Sequence, residues 1–484
     1  MKRYQGKRKN KKSYKKIDCM KFYYYVLYMI LLLFLLASCK VGKDYQRPEL
    51  NLPNTYKEYV GTMSQQDTVI YPAKSFFKNP ELLSLLDTAL AKNSNLLLAV
   101  KNIDIAGSIL GTTKLNYLPD LVAQINGSYS RQSKNSAGVQ AGGGREVKDY
   151  NLSVGMTWDI DIWGKIRREK EEALANYLQS HEARKAVQTR LVADVAKGYY
   201  NLLMLDDQHQ IAAESKDLSE RTLKIVKLQY EVGEASAIGV QQVEAQLEQN
   251  KVLLSQIENS ISIQENALSL LCGNYAKAIK RTRIENEFEH IPVRGYPVAL
   301  LANRPDVRVA ELALKAANAK VGVALAAMYP SLTVNPSGGL NSMKASNWFS
   351  IPASLFGTVA GGITQPLFNK GRLKANYEQM KMERDKSVIS FRQSVLEAYA
   401  QVSDAMRNKQ ELEKQYVFAL KREDIMKESI KATDILFRAG EVNYLEVINV
   451  QSNFLQSSLQ SSQIFTEKMQ ANIELYYTLG GGWQ

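Results

Sequence analysis

The most regular pattern in the chain is a stripe of nine positions. Val243, Leu247, Asn250, Leu254, Ile257, Ile261, Gln264, Leu268 and Leu271 follow in steps of four and three, and seven of the nine are apolar. Such steps keep one helix face against a partner helix, the a/d seam of a coiled coil. Asn250 and Gln264 are either register-setting positions or polar residues that the seam tolerates, and the pattern leaves both readings open. Upstream, residues 165–231 hold no proline and one glycine, Gly198, among abundant Lys, Glu, Ala, Leu and Gln. This predicts one helix of 67 residues, about 100 Å long at 1.5 Å per residue. Residues 371–438 repeat that composition, with Gly371 only at the start. Helices of this length belong to coiled coils, membrane spans or helical repeats, and these carry too many charges to lie in lipid.

A shorter period separates the helices. Leu121, Ala123, Ile125, Gly127 and Tyr129 alternate with Val122, Gln124, Asn126, Ser128 and Ser130. Tyr150, Leu152, Val154, Met156 and Trp158 alternate with Asn151, Ser153, Gly155, Thr157 and Asp159. Leu332 to Leu340 and Leu355 to Ile363 follow the same rule more weakly, diluted by Gly338, Gly357 and Gly361. Strands of about ten residues, apolar on one face and polar or small on the other, with Tyr and Trp at their ends, suit a transmembrane β-barrel. A soluble, half-buried hairpin has the same alternation. The polar stretch at 130–149 reads as an extracellular loop.

The two sets of elements are copies of each other. "YEVGEASAIGVQQVEAQ" at 230–246 aligns with "FRAGEVNYLEVINVQSN" at 437–453, Gly233 on Gly440, at an offset of 207. "VGMTWDIDIWGKIR" aligns with "GGITQPLFNKGRLK" at the same offset, whereas Pro119 aligns with Pro330 at an offset of 211. One shift of four residues in one loop-like stretch is what a duplicated unit with a longer loop produces.

The N-terminus decides between the two readings of the strands. Residues 1–21 carry ten Lys or Arg, and 22–38 are an unbroken apolar or aromatic run ending in two small residues. That arrangement is a secretory signal, although the run is long enough for a single membrane anchor. Leu36-Ala37-Ser38-Cys39 resembles the bacterial lipobox, which implies cleavage before Cys39 and diacylglycerol on its sulfur. Of the net charge of +13, residues 1–38 account for +9, so the basic pI says little about nucleic acid. Only Cys272 remains outside the export segment, in "LSLLCGN", a small apolar helix-end position; no disulfide framework or cysteine metal site is possible. Beside an export signal and two such helices, the alternating strands are expected in a membrane. Four strands cannot close a barrel and an open edge cannot face lipid, so the barrel has to be shared between chains.

Taken together, "CKVGKDYQRP", "NPELLSLLDTALAKNSNL", "NYLPDL", "WDIDIWGKIRR", "YEVGEASAIGVQQVEAQL", "LLANRPDVRVAE", "AKVGVALAAMYPSL" and "QPLFNKGRL" resemble the outer-membrane efflux protein family. The resemblance is to TolC-like channel-tunnels, in the NodT-type lipoprotein branch of resistance–nodulation–division (RND) systems, and covers almost the whole chain after Cys39. It implies a mixed α and β membrane protein: an internally duplicated protomer giving four strands to a shared 12-stranded trimeric β-barrel and long coiled-coil helices to a periplasmic α-barrel. The implied partners are two further copies of the chain, a periplasmic adaptor, an inner-membrane RND pump and outer-membrane lipid. Beyond the diacylglycerol and N-acyl chain on Cys39, no cofactor is implied.

The family also implies roles at the helix tips. Each long helix descends to a turn, at Gly233 and Gly440, where glycine suits a positive φ. The adaptor-contact positions carried over are Gly233, Glu234, Gly440 and Glu441. Acidic residues just past the second turn line the closed periplasmic gate; Glu446 takes one such position, and Asn449 stands where a second acid can occur. Three copies of Glu446 would repel one another and draw in cations, against the plainer reading of a solvated helix face. Phe437 and Tyr230, three residues before each glycine, are gate aromatics or, more simply, inter-helix packing.

An enzyme is poorly supported. His181, His209 and His290 are far apart, the first two expected on a helix surface, and no nucleophile elbow, phosphate loop or metal spacing occurs. The expected organisation is a lipoprotein signal at 1–38, a lipidated and equatorial segment at 39–80, a first repeat at 81–272, an equatorial linker at 273–303, a second repeat at 304–479 and a tail at 480–484. The expected function is a passive outer-membrane conduit of a tripartite efflux pump. The alternatives are a non-conducting coiled-coil spacer and a conduit for type I protein secretion.

Overall fold

The computed structural model describes residues 41–50, 53, 72–283, 288, 301 and 304–483. The expected signal at 1–38, Cys39 and His290 lie outside them. The chain divides into two compact units, one of Met1–Arg47, Ala106–Tyr177 and Ala313–Val388, the other of Pro48–Ile105, Leu178–Leu312 and Ile389–Gln484.

The first unit holds one antiparallel sheet in chain order: β1 (Asp120–Arg131), β2 (Glu146–Ile160), β3 (Ser331–Ser342) and β4 (Leu355–Thr364). Its register gathers the apolar set on one face. Leu121 opposes Met156, Ile125 opposes Leu152, Leu152 opposes Leu340, and Val334 opposes Gly361. The other face carries the polar set, where Thr333 donates to Asp159 (2.9 Å), Asn341 donates to Asp149 (2.7 Å) and Ser337 meets Thr358 (2.7 Å). The apolar face is bare within this chain: Ile125 is 72% and Val359 83% exposed. Among the described residues β1 and β4 each pair on one side only. β2 starts earlier than the alternation suggests, because Glu146 to Asp149 pair with Ser128 to Arg131 and so belong to the ladder rather than the loop. The hairpins also locate the four-residue shift. The partner of Leu121 is Met156, whereas the partner of its counterpart Leu332 is Ile363, so the offset falls from 211 to 207 across the hairpin connection.

Aromatic residues mark both ends of the strands. Trp163 stacks on Tyr329 (4.9 Å between centroids) and donates to the Pro330 carbonyl, and Trp158 donates to the Tyr117 carbonyl. At the opposite end Trp348 lies 5.6 Å from Tyr150.

The helices of 22 residues or more come in pairs of equal length. α1 (Pro80–Lys92) is followed by α2 (Ser94–Leu115), which matches α5 (Pro305–Ala326), 22 residues each. α3 (Lys165–Glu231) matches α6 (Arg372–Arg438), 67 residues each, and α4 (Ala237–Leu271) matches α7 (Tyr444–Thr478), 35 each. The glycines before the long helices, Gly164 and Gly371, both have φ +75°.

In the second unit the seam of α4 is inward throughout: all nine of its positions are buried or half-buried. Asn250 is buried and its amide donates to the hydroxyls of Ser215 (3.2 Å) and Ser219 (2.9 Å) on α3, a specific polar contact between the helices. Gln264 reaches the Gly198 carbonyl (3.2 Å), and a Cβ at Gly198 would sit 2.8 Å from Leu268, which explains the one glycine within α3. Cys272 caps the end of α4 and is buried, its thiol near the Leu85 carbonyl.

Two further features fasten the far ends of the helices from their tips. Arg304, 3% exposed, forks onto Asp306 (3.1 and 2.7 Å) and donates to the Thr478 carbonyl (2.8 Å) and Gln401 (2.7 Å). The Arg-Pro-Asp element is thus a clamp joining the start of α5 to α6 and the end of α7. Phe76, Phe77, Phe288 and Tyr476 form an aromatic cluster with centroid separations of 4.2–6.0 Å.

Candidate functional site

Each long helix ends in the same way at its tip. Gly233 (φ +81°) and Gly440 (φ +78°) stand two residues past the helix ends. Glu234 N–H bonds the Gln229 carbonyl and Gly233 N–H the Tyr230 carbonyl; Glu441 and Gly440 repeat this with Leu436 and Phe437. This paired pattern is the Schellman motif, which closes the last carbonyls of a helix and requires a left-handed residue. A Cβ at either glycine would meet nothing within 4 Å, so the requirement is the backbone angle and not a close neighbour.

The return helices then start from side-chain caps. Ser236 accepts from Gly239 N–H, and Asn443 accepts from the N–H groups of Leu445 and Glu446. Val226, Val243, Phe437 and Val447 form a buried core behind the turns, with Val240, Val442, Tyr444 and Ile448 packed against it. One step further along, Gln451 donates to Thr222 (2.8 Å), a buried link between α7 and α3.

The predicted site residues separate into two groups against this core. Phe437 is buried, which is the packing reading, while Tyr230 is 50% exposed although it precedes its glycine by the same three residues. Gly233, Glu234, Gly440, Glu441, Glu446 and Asn449 are all exposed. Glu446 sits in the first turn of α7, where its charge faces the positive end of the helix dipole. Among the described residues no Lys or Arg pairs with it; the tip ion pairs join Lys227 to Glu244 (2.7 Å) and Arg438 to Asp434 (3.0 Å) instead.

The pattern reading missed one contact. The ring of Tyr444 lies on Gly239, the position that the repeat aligns with Glu446. At 237 and 239 the first repeat has Ala and Gly, and at 444 and 446 the second has Tyr and Glu. That small-for-large exchange between copies was the available signal. The two described histidines assemble no site: His181 is half-buried, and the His209 side chain, 39% exposed as expected for a helix surface, lies 3.4 Å from Glu258. No group of three or more potential metal ligands occurs among the described residues.

Comparison with known proteins agrees with this architecture along the chain. The family described as outer membrane efflux protein matches residues 85–274 and 296–481, one match for each set of helices. The cation efflux system protein CusC of Escherichia coli O6:H1 is 26% identical over 453 residues, 93% of this chain and 97% of that protein. The probable outer membrane lipoprotein SilC of Salmonella typhimurium is 28% identical over 461 residues, again 93% and 97%. The open-state crystal structure of the Neisseria gonorrhoeae MtrE outer membrane channel superposes with a TM-score of 0.79 at 26% identity, covering 92% of this chain and 99% of that one.

Proposed function

The chain belongs to the outer membrane efflux protein family, the outer-membrane component of efflux systems, and we propose that three copies of it build a passive conduit through which a pump and its periplasmic adaptor export small molecules. The observation that carries this reading is the sheet. Among the described residues, four antiparallel strands present a bare apolar face and two unpaired edges, which invite association in water and cannot face lipid. Closure by two more copies removes the edges and turns the apolar face to lipid. A soluble spacer would have no use for such a face.

Within that assembly, the tips around Gly233 and Gly440 meet the adaptor, with Glu234 and Glu441 as exposed contact residues. Glu446 and Asn449 line the closed entrance, where the summed negative potential of three exposed carboxylates draws in cations that offset their mutual repulsion. Phe437 belongs to the packing that keeps the tip closed, and Tyr230 is the aromatic free to touch a neighbour. Cys39 carries the lipid. No residue is assigned a catalytic role or a resident metal. Native mass spectrometry of the detergent-extracted protein tests the assembly: a mass of three chains is expected, and a stable monomer overturns the proposal.

A further inference from the structure

Arg168, at the start of α3, is 1% exposed, and each of its five N–H donors has an acceptor. Two of those acceptors lie on its own unit's N-terminal segment as backbone: Val41 O (3.4 Å from both Nε and Nη2) and Gly42 O (2.9 Å). A third is the Asp44 carboxylate (3.1 Å), and only Glu171 (2.8 Å) belongs to α3. The guanidinium lies against α5 at Gly322, where a Cβ would come within 2.7 Å of Nε, so only glycine leaves room for it. Around this centre the segment is fastened again: Val41 N–H donates to the Trp163 carbonyl (3.3 Å), Asn318 donates to the Lys43 carbonyl (3.3 Å), and Lys315 lies over the Tyr45 ring (5.2 Å).

A buried, fully satisfied arginine is an expensive way to hold seven surface residues, since its desolvation has to be offset by good geometry. The location explains the investment. Val41 is two residues after Cys39, so the covalent chain keeps the two Cα atoms within about 7 Å. The strand-end aromatic Trp163, which accepts from Val41 N–H, is stacked on Tyr329, and such residues settle at the membrane–water interface. We propose that Arg168 is the positioning residue for the lipid anchor: it docks the segment after Cys39 against the sheet's end, so that the acyl chains enter the leaflet beside the barrel instead of from a free tether. This rests on Cys39 being acylated.

Hydrogen exchange of the full-length protein in lipid nanodiscs, read by mass spectrometry, tests the docking. A peptide covering 41–47 is expected to be protected, and Asp44→Ala, which removes one of the segment's three acceptors for Arg168, to speed its exchange about threefold or more. Arg168→Ala is expected to speed it at least about tenfold, with the strand peptides unchanged. Arg168→Lys rescues little, because an ammonium has three donors and no fork. Free exchange of 41–47 in the unaltered protein, or no change in both Asp44→Ala and Arg168→Ala, overturns the proposal. The intact mass of the same sample separates the premise: an unmodified Cys39 overturns the lipid role, whereas an acylated Cys39 on a freely exchanging segment overturns the docking alone.

Discussion

The Cε1 atom of Tyr444 would lie 2.9 Å from a Cβ placed on Gly239, closer than two carbon atoms can sit without movement. One repeat therefore supplies a ring at its tip and the other supplies the space for it. The aligned position of the second repeat is left free to carry an acid, Glu446.

The first prediction uses that pair. On helix preference alone, Gly239→Ala should stabilise α4 by up to about 1 kcal/mol. Overpacking against the ring costs about 1–3 kcal/mol, so the net effect is expected to be destabilising. In a Tyr444→Ala background the sign should reverse. Hydrogen exchange at residues 236–247 measures both; the same effect in both backgrounds would dismiss the contact.

Asn250 offers a test of the seam. Asn250→Ala strands the Ser215 and Ser219 hydroxyls and is expected to cost about 1–3 kcal/mol. Asn250→Leu extends the apolar stripe and should recover most of that loss while loosening register, the known trade at a polar a/d position. Thermal unfolding reports the first effect, and a cross-link between α3 and α4 that becomes heterogeneous reports the second.

Arg304 is expected to matter more than any charge on the helix surfaces. Arg304→Ala removes the buried group joining Asp306, Gln401 and the Thr478 carbonyl and should cost about 1–3 kcal/mol, as leaving a buried carbonyl without its donor does. Exposed pairs such as Lys101 with Asp104 should contribute under about 1 kcal/mol. A thermal shift no larger for Arg304→Ala than for Lys101→Ala would contradict the clamp.

Cys272 should be chemically silent. It is buried, and burial pushes its thiol up, which disfavours the reactive thiolate and shields it from reagents. Maleimide labelling of Cys272 in the folded protein is expected to be at least about 100-fold slower than after denaturation. Fast labelling that grows tenfold per pH unit would place the thiol in water.

Local signals made much of this architecture legible beforehand. The absence of proline set both 67-residue helices, the four-three stripe set the face of α4 that is buried, and alternation put Leu121 and Met156 on one sheet face. Each depends on neighbours in sequence. Arg304, Arg168 and the Gly239–Tyr444 contact were invisible as contacts because their partners are far along the chain, and residue type alone does not say which helix arrives opposite. Gly198 carries the same lesson: an isolated glycine in a helix reads as a weakness until Leu268 is seen against it. At the tips, equal spacing before two glycines suggested equal roles for Tyr230 and Phe437, yet one is exposed and the other buried, since the packed copies face different neighbours.

Conductance tests the central claim most directly. The full-length protein, reconstituted in a planar bilayer, should give discrete steps of current, more frequent when the tip is loosened by Phe437→Ala with Gln451→Ala. Glu446→Gln should lower the preference for cations. Silence from both the unaltered and the loosened protein, in membranes where the assembled protein is shown to be inserted, would contradict a conduit and return the chain to a structural role.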